Sequence, residues 1–584
     1  MKQARVDLGR WPDHDTFDVV VLGSGAAGFS AALNARLNGS KVLLVERTEY
    51  LGGTSAWSAA TTWIPCTQTG LKVNPQDSLD KAANFLDHAV GDRSTKEMRS
   101  SFLQHGPGAI ERLESQTEVQ FQVRSLHPDY MSDLPDAVLR GRAIEPKPFD
   151  GRRLGPNLNL LRPPIPEFTV LGGMMVDRDD IFHLLRLKQN LTSFTYSLRI
   201  IARHITDRIF WKRGTRLVMG NALIGRMLYS YLKLQGELVT RTEAMALHRK
   251  GSAICGVHLR QTHEDGSVTE RHVQVRGGVI LASGGFNRHV RRRAQWLPGI
   301  DADWSPAAPG HTGTAQDLAL QAGAVMGSDS LSPAFWAPCS IRIRAEGSRA
   351  VFPHFVMDRG KPGMMTVDQS GQRFVNESTS YHLFGLAMQA RQRDVPAIPA
   401  WLICDAAALK RYGLGMIRPG GRRLAPYLAD GYLRQGRTWP ELAQAIGVPP
   451  AALENTVRRF NAMAEAGRDE DFQRGTTDYQ RANGDTAWPG PNPCLGPLHE
   501  GPFYAVALYP GDIGAATGLQ TDAQARALNA HGEPIVGLYA CGNDMHSIMG
   551  GTYPAPGITI GPGIVFGHLA ARHASALASG VPVS

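Results

Sequence analysis

A short β-branched run, Asp18-Val-Val-Val-Leu22, leads directly into three glycines, Gly23, Gly25 and Gly28, at the G-x-G-x-x-G spacing. Such an apolar run reads as a buried parallel strand. Gly23 permits the tight turn that follows. Gly25 lets the backbone approach a pyrophosphate, and Gly28 lets the next helix, about residues 26–38, pack close to the strand. The N-terminus of that helix, where Ala27 lies, offers free N–H groups to an anion. Lys41 to Val45 forms the second strand, which ends at Glu46, 18 residues beyond Gly28, with Arg47 beside it. A carboxylate at that place accepts hydrogen bonds from ribose hydroxyls. Glycines alone serve many ordinary turns. Strand, glycines, helix, strand and acid in that order predict a dinucleotide-binding βαβ unit.

A chain of 584 residues is long enough for more than one core. Its composition, 42% hydrophobic and 20% charged, excludes a disordered protein. No apolar run approaches the ~18 residues of a membrane-spanning helix. The opening residues, Met1 to Asp7, lack the apolar core of a signal peptide. The cysteines at 66, 255, 339, 404, 494 and 541 are scattered. No C-x-x-C occurs, which argues against structural zinc, iron–sulfur clusters and attached haem. No metal site is expected, and a reduced, cytoplasmic setting is the simplest reading.

The net charge of +9 calls for a partner, and no nucleic-acid-binding motif is present. Between Phe182 and Arg216 stand Arg186, Lys188, Arg199, Arg203, Arg208, Lys212, Arg213 and Arg216, with Asp207 the sole acid. Phe194, Leu198, Ile201, Ile205 and Ile209 recur at helical spacing, followed by Phe210-Trp211. This pattern fits a basic amphipathic helix lying on the inner face of the cell membrane. It fits equally a core-facing helix with a solvated basic face.

Further along, Val279 to Ala282 reads as a strand entering the Ser283-Gly284-Gly285 turn, and Gly310 to Asp317 opens another helix. Between these and the first unit, residues 220–231 are expected to be helical, with strands at 237–248, 254–261 and 272–275. Near Pro338 the character changes. Residues 352–367 and 401–405 look like strands of a separate unit, 425–464 is mostly helical with Thr438 as an N-cap, and 474–497 reads as loop. Pro534 to Cys541 forms a strand that ends near Asp544, placed for ribityl or flavin contacts. A discontinuous first domain (1–338 and 509–584) with an inserted domain (339–508) follows.

After the second strand, Gly52-Gly53-Thr54-Ser55-Ala56 resembles the loop that runs along the pyrophosphate and under the flavin in the fumarate reductase and succinate dehydrogenase flavoproteins. Tyr553-Pro-Ala-Pro-Gly557-Ile-Thr-Ile560-Gly-Pro resembles the Y-P-G-P-G-x-T-I-G-P signature of the 3-ketosteroid Δ1-dehydrogenases, with Ala555 where glycine is usual. Gly371-Gln-Arg-Phe-Val-Asn-Glu377-Ser-Thr-Ser-Tyr381 is similar to their G-x-R-F-x-N-E-x-x-x-Y segment, with Ser380 where proline commonly precedes the tyrosine. Pro128-Asp-Tyr130 is similar to a third, tyrosine-bearing segment. The resemblance runs over nearly the whole chain in order.

The resemblance implies a Rossmann-like α/β FAD-binding domain, interrupted by an α+β catalytic cap. FAD would be bound non-covalently through Gly23, Gly25, Ala27, Gly28, Glu46, Arg47, Gly53, Thr54, Ser55, Gly284, Asp544 and Ile560. It also implies removal of two hydrogens from C1 and C2 of a 3-keto steroid, in steroid breakdown, with electrons passing to a quinone or other acceptor. Tyr553 O–H and Gly557 N–H would stabilise the enolate oxygen. Tyr381 would take the C2 proton and Tyr130 would relay charge to it. His311, His382 and His546, near glycine loops, are assigned no role. Two alternatives stay open. One is a fumarate or enoate reductase or a Δ4 steroid dehydrogenase, with Arg373, Arg418 or Arg422 entering the site to clamp a carboxylate. The other is a flavin-bearing membrane-surface protein without turnover.

Overall fold

The computed structural model describes residues 11–355 and 358–581. The opening segment read for a signal peptide lies outside the described residues. The first expected strand spans Thr16–Leu22 and the second Val42–Val45, with helix Ala26–Leu37 between them. Both strands are almost wholly buried, as β-branched runs in a parallel sheet must be. Strand Glu237–Val239 joins outside Val42–Val45, and Val268–Leu281 and Pro534–Ala540 continue the sheet on the other side, all parallel. Leu22 lies level with Val45 and Leu281, and Leu281 with Ala540. Four strands therefore end on one line, and the loops after them open into one crevice. That edge is where open α/β sheets bind ligands.

Strand Val268–Leu281 does double duty. Its second half is parallel to its neighbours, while its first half pairs antiparallel with Ala253–Thr262, which pairs with Thr242–Lys250. The expected strands at 272–275 and 279–282 are thus one strand, with Gly277-Gly278 taken up as an irregularity where the register against Phe17 and Val19 shifts. The expected strand at 237–248 is two, split at Thr240 and Arg241, where Arg241 takes a positive φ.

The second sheet is antiparallel, in the order Arg349–Pro353, Ala334–Ile343, Phe503–Ala515, Ala400–Cys404, Met364–Val367, with Arg434–Gly436 also on Phe503–Ala515. The anticipated domain limits at 338/339 and 508/509 both fall inside strands that pair with each other, Ala334 with Ala515 and Pro338 with Pro510. We propose limits at 333/334 and 515/516 instead, so that the inserted unit keeps its sheet whole. Thr438 caps its helix through the Glu441 N–H, and the stretch 425–464 contains three helices and a short strand rather than continuous helix. The stretch 474–497 is not all loop, because Asp478–Asn483 is a helix capped by Thr477.

The basic segment forms two helices, Arg178–Leu185 and Leu191–Phe210. On the longer one the buried positions are Ser193, Ser197, Ile200, His204 and Asp207. Leu191, Phe194, Leu198, Ile205, Ile209 and Phe210 are exposed, Leu191 and Phe210 at 76%. Ile200 and Ile201 pack inward with Met174 and Val176, while the other apolar positions of the repeat face outward and Ser193, Ser197, His204 and Asp207 are turned in. Arg203, Arg213 and Arg216 are committed to the fold, through Asp150, the Leu161 carbonyl and Asp180 respectively. Lys188, Arg199 and Arg208 are exposed. No helix among the described residues is long and apolar enough to cross a membrane.

Candidate active site

One cavity of about 700 Å³ runs from the sheet edge to the inserted domain. At the sheet end it is lined by Gly23, Gly25, Ala27, Glu46, Arg47, Gly53, Thr54, Ser55, Gly284 and Ile560. Gly28 lies behind it. A Cβ there would meet the Gly23 carbonyl oxygen at 1.8 Å, so its part is helix-to-strand packing. Glu46 is buried, and its carboxylate accepts from Ser24 Oγ (2.5 Å) and from Thr48 N (2.9 Å) and Oγ1 (2.8 Å). Arg47 reaches across to Thr312, Thr314 (3.0 Å) and Glu243 (3.1 Å).

Two observations fit a dinucleotide in this end. Helix Ala26–Leu37 opens on the cavity from Gly25, which has no side chain to cap it, and has no acid in its first turn, so its positive end suits an anion. The Ser55 hydroxyl sits there, accepting from Ala26 N at 3.1 Å. The second is His311, which also lines the cavity. Its Nε2 lies 3.3 Å from Thr54 Oγ1, while its Nδ1 is buried without a partner among the described residues. Burial brings its pKa down to about 3, so the ring is neutral. An orphaned neutral imidazole nitrogen in such a place suits a polar group of a bound cofactor. The sequence reading saw His311 and gave it no role. Its closeness to Gly284, whose Cβ would fall 2.5 Å from Nε2, is the signal that was missing.

Asp544 is placed differently from expectation. Its carboxylate accepts from Ser283 N, Ser283 Oγ (3.0 Å) and Gly285 N (3.0 Å). It braces the glycine turn from behind, and Gly542 and Asn543 line the cavity in its stead. Strand position alone could not tell which way the carboxylate turned.

At the other end, three tyrosines far apart in sequence meet. Tyr130 Oη donates to Tyr381 Oη at 3.3 Å. The ring centroids lie 5.4 Å apart for Tyr130 and Tyr381, 5.1 Å for Tyr381 and Tyr553, and 5.8 Å for Tyr130 and Tyr553. Backbone bonds fix their registration. Tyr130 N and Met131 N both donate to the Pro554 carbonyl (2.7 and 3.1 Å), and Trp63 N donates to the Gly557 carbonyl (3.2 Å). Gly557 has φ +91°, and a Cβ would meet the Thr61 carbonyl oxygen at 2.4 Å, so only glycine fits. It lines the cavity, and its N–H makes no hydrogen bond within the fold among the described residues.

Tyr381 begins helix Tyr381–Arg391, which Ser380 caps. The loop before it is held by a buried ion network. Arg373 binds Glu377 (2.8 Å) and Asp469 (2.9 Å), and Arg474 binds Glu377 (3.0 Å). Burial alone would raise the Glu377 pKa, but Arg373 and Arg474 hold it below the usual carboxylate range. The R-F-x-N-E part of the motif is therefore scaffold. Arg373 is consumed there, Arg418 donates to the Thr169 carbonyl, and neither these nor Arg422 lines the cavity.

Tyr479, on helix Asp478–Asn483, packs on Tyr130 with centroids 4.8 Å apart, and Phe355 and Phe335 pack on Tyr381 (5.0 Å) and Tyr553 (5.2 Å). None of the three was anticipated. Burial first, and neighbouring tyrosines second, push Tyr381 and Tyr130 well above the ordinary phenol value, and burial raises Tyr553. All three are protonated at rest, so each hydroxyl can donate. No group of metal-ligating side chains occurs among the described residues.

Residues 18–560 match the model of the family described as FAD binding domain. A 4-oxocyclohex-2-ene-1-carboxylate 5-dehydrogenase of Sinomonas cyclohexanicum is 35% identical, over 96% of this chain and 94% of that protein. A 3-oxosteroid 1-dehydrogenase of Mycolicibacterium smegmatis is 34% identical, over 96% and 98%. The crystal structure of a 3-ketosteroid Δ1-dehydrogenase from Sterolibacterium denitrificans, in complex with 1,4-androstadiene-3,17-dione, superposes with a TM-score of 0.88 at 32% identity, over 96% of this chain and all of that one. The chain belongs to the FAD-binding-domain flavoenzymes, in the group that contains the 3-oxosteroid 1-dehydrogenases, and FAD is its cofactor.

Proposed function

We propose that this enzyme introduces the C1–C2 double bond into 3-keto steroids. The observation that supports this most directly is the cluster of Tyr130, Tyr381, Tyr553 and Gly557 at the end of a cavity whose other end is a dinucleotide cradle. A proton α to a ketone becomes labile only as charge moves to the carbonyl oxygen. Tyr553 O–H and Gly557 N–H are the two donors that receive the oxygen. Tyr381 takes the C2 proton. Its phenolate is costly in a buried site, and the Tyr130 hydroxyl donating to Tyr381 Oη offsets part of that cost as charge forms. Bound FAD supplies the acceptor for the C1 hydride. A reductase of dicarboxylates would need a carboxylate clamp at the reacting carbon, and Arg373, Arg418 and Arg422 are all engaged or remote.

The proposal extends to an anionic lipid surface under the Leu191–Phe210 face. Exposed aliphatic and aromatic groups stand there beside the exposed cations Lys188, Arg199 and Arg208, the combination that interfacial helices use. The neighbouring helix Arg178–Leu185 exposes Phe182 and Leu185 outward while Ile181 lines the cavity. A lipophilic substrate would thus pass from lipid to the site along one helix.

The test is anaerobic mixing of holoenzyme with 4-androstene-3,17-dione and, separately, with fumarate after chemical reduction. Bleaching of the flavin by the steroid and no reoxidation by fumarate is the expected result. A flavin indifferent to the steroid and reoxidised by fumarate would reverse the assignment.

A further inference from the structure

The tyrosine end of the cavity continues into a cluster of ionisable groups that the reaction does not use. Two acids lie in it, and both are already engaged. Glu145 accepts from Arg124 Nε at 2.6 Å and lies 3.6 Å from His127 Nδ1. Asp177 accepts from Asp180 N at 2.9 Å and lies 3.6 Å from Arg216. Two cations are left over. Arg178 lines the cavity at an exposed position, and its side chain makes no hydrogen bond or ion pair among the described residues, although Glu145 and Asp179 lie near enough to act on its charge. Lys361 lines the cavity as well, and among the described residues its Nζ reaches only the carbonyls of Asn483 (2.6 Å) and Gly484 (2.8 Å). Asp485, next in the chain, is taken up by Arg411 (2.6 Å) and Tyr412 (2.7 Å).

The position relative to the tyrosines follows from one helix. Tyr479 packs on Tyr130. Asn483, whose carbonyl holds Lys361, is four residues on, about 6 Å of helix rise. Tyr130 also stacks on Tyr553, so Lys361 stands on the side of Tyr130 away from the ketone-binding pair, with Arg178 near enough to act on its charge. A cation taken partly out of water and held by carbonyls gains from an anion beside it, and Lys361 is in that position while Arg178 stands at the exposed rim. Burial, and then the charge of Arg178, bring Lys361 down to about 8, as expected of a site that lacks its counter-ion.

We propose that Arg178 and Lys361 receive a carboxylate, so that the preferred substrate is a cyclic ketone bearing an acid group at the end away from the carbonyl. This rests on the ketone being held by Tyr553 and Gly557 as above. Two sources carry that chemistry, a small 4-oxocyclohexanecarboxylate and a 3-keto steroid with a side chain ending in a carboxylate.

The test uses holoenzyme with a dye as electron acceptor, and compares kcat/KM for each of these acids with that for its methyl ester. 4-Androstene-3,17-dione serves as the neutral reference. The free acid of at least one pair should exceed its ester by about ten- to a hundredfold, the range of a charge-assisted contact, chiefly through KM. Lys361→Gln keeps a donor for the Asn483 carbonyl, and Arg178→Gln sits at an exposed position. Each should bring the acid-to-ester ratio towards one. Acids no better than their esters, or a ratio unmoved in both variants, would overturn the proposal. The steroid assignment fails separately. Turnover of the small keto acid without turnover of any steroid would discard the steroid and keep the carboxylate site, whereas steroid turnover with no preference for acids would do the reverse.

Discussion

Tyr381 has to give up a proton that its surroundings hold firmly. Burial puts its pKa above the ordinary tyrosine value of about 10, and the base is the deprotonated form. Below that pKa the competent fraction grows about tenfold per pH unit. The logarithm of kcat/KM should therefore climb with unit slope through pH 7 to 9 without levelling, and a plateau near neutrality would assign the base elsewhere. Tyr381→Phe should lose ~10²–10⁴ in rate and Tyr553→Phe ~10²–10³, both with flavin retained, as absorbance and single-turnover reduction would record. Tyr553 and Gly557 were legible because they sit in a pattern of glycines and prolines that few other constraints produce, and Tyr381 because it closes the spaced G-x-R-F-x-N-E segment. Tyr479 was not. It is one of 14 tyrosines, in a polar stretch with no periodicity, and only the three-dimensional path of the chain brings it to Tyr130. Asp544 illustrates the opposite error, a correct strand end with the carboxylate directed to the Ser283–Gly285 backbone.

Among the elements, the loop 371–380 shows how a motif can be functional without touching substrate. Glu377 is fully buried between Arg373 and Arg474. Removing one partner of a buried pair leaves the other uncompensated, typically at a cost of about 3–5 kcal/mol. Glu377→Gln should lower the thermal and urea stability of the holoenzyme by that order, with the greatest effect on activity through the placement of Tyr381. Because the folded Glu377 pKa is depressed, its stabilisation is complete above the unfolded value of about 4.3 and is lost as pH falls through the folded one. The gap between variant and wild type should therefore narrow in acid. A gap independent of pH would mean that the carboxylate's charge is not what holds the loop. The periodicity of the basic segment gave the helix but not its orientation, since both a membrane-facing and a core-facing helix show the same repeat. Ser193, Ser197 and His204 on the inner side decide it, and that reading needs the neighbours that only the fold supplies.

For the whole molecule, the outward apolar face makes a measurable claim. Wild-type protein should co-sediment with anionic vesicles at low salt and be released by high salt or detergent. Reversing Lys188, Arg199 and Arg208 to Glu should abolish the association. Arg203 is unsuited to this test because it pairs with Asp150 at 2.8 Å. Failure of the wild type to bind vesicles would end the lipid proposal.

Helix Ala26–Leu37, which faces the pyrophosphate site, packs along helix Ile560–Ser579, with Ser30 Oγ donating to the Ile564 carbonyl at 2.7 Å and His568 hydrogen-bonded to Asn34 at 2.8 Å. Strand Pro534–Ala540 completes the same sheet edge. More than 500 residues separate the two halves of this seam. During synthesis the glycine turn can meet Ser55 and Ala282 well before helix Ile560–Ser579, which closes its other side, has been made. Cofactor capture is therefore a late event in the life of each molecule, and the nascent chain must keep its first strand pair from aggregating until the last helix arrives.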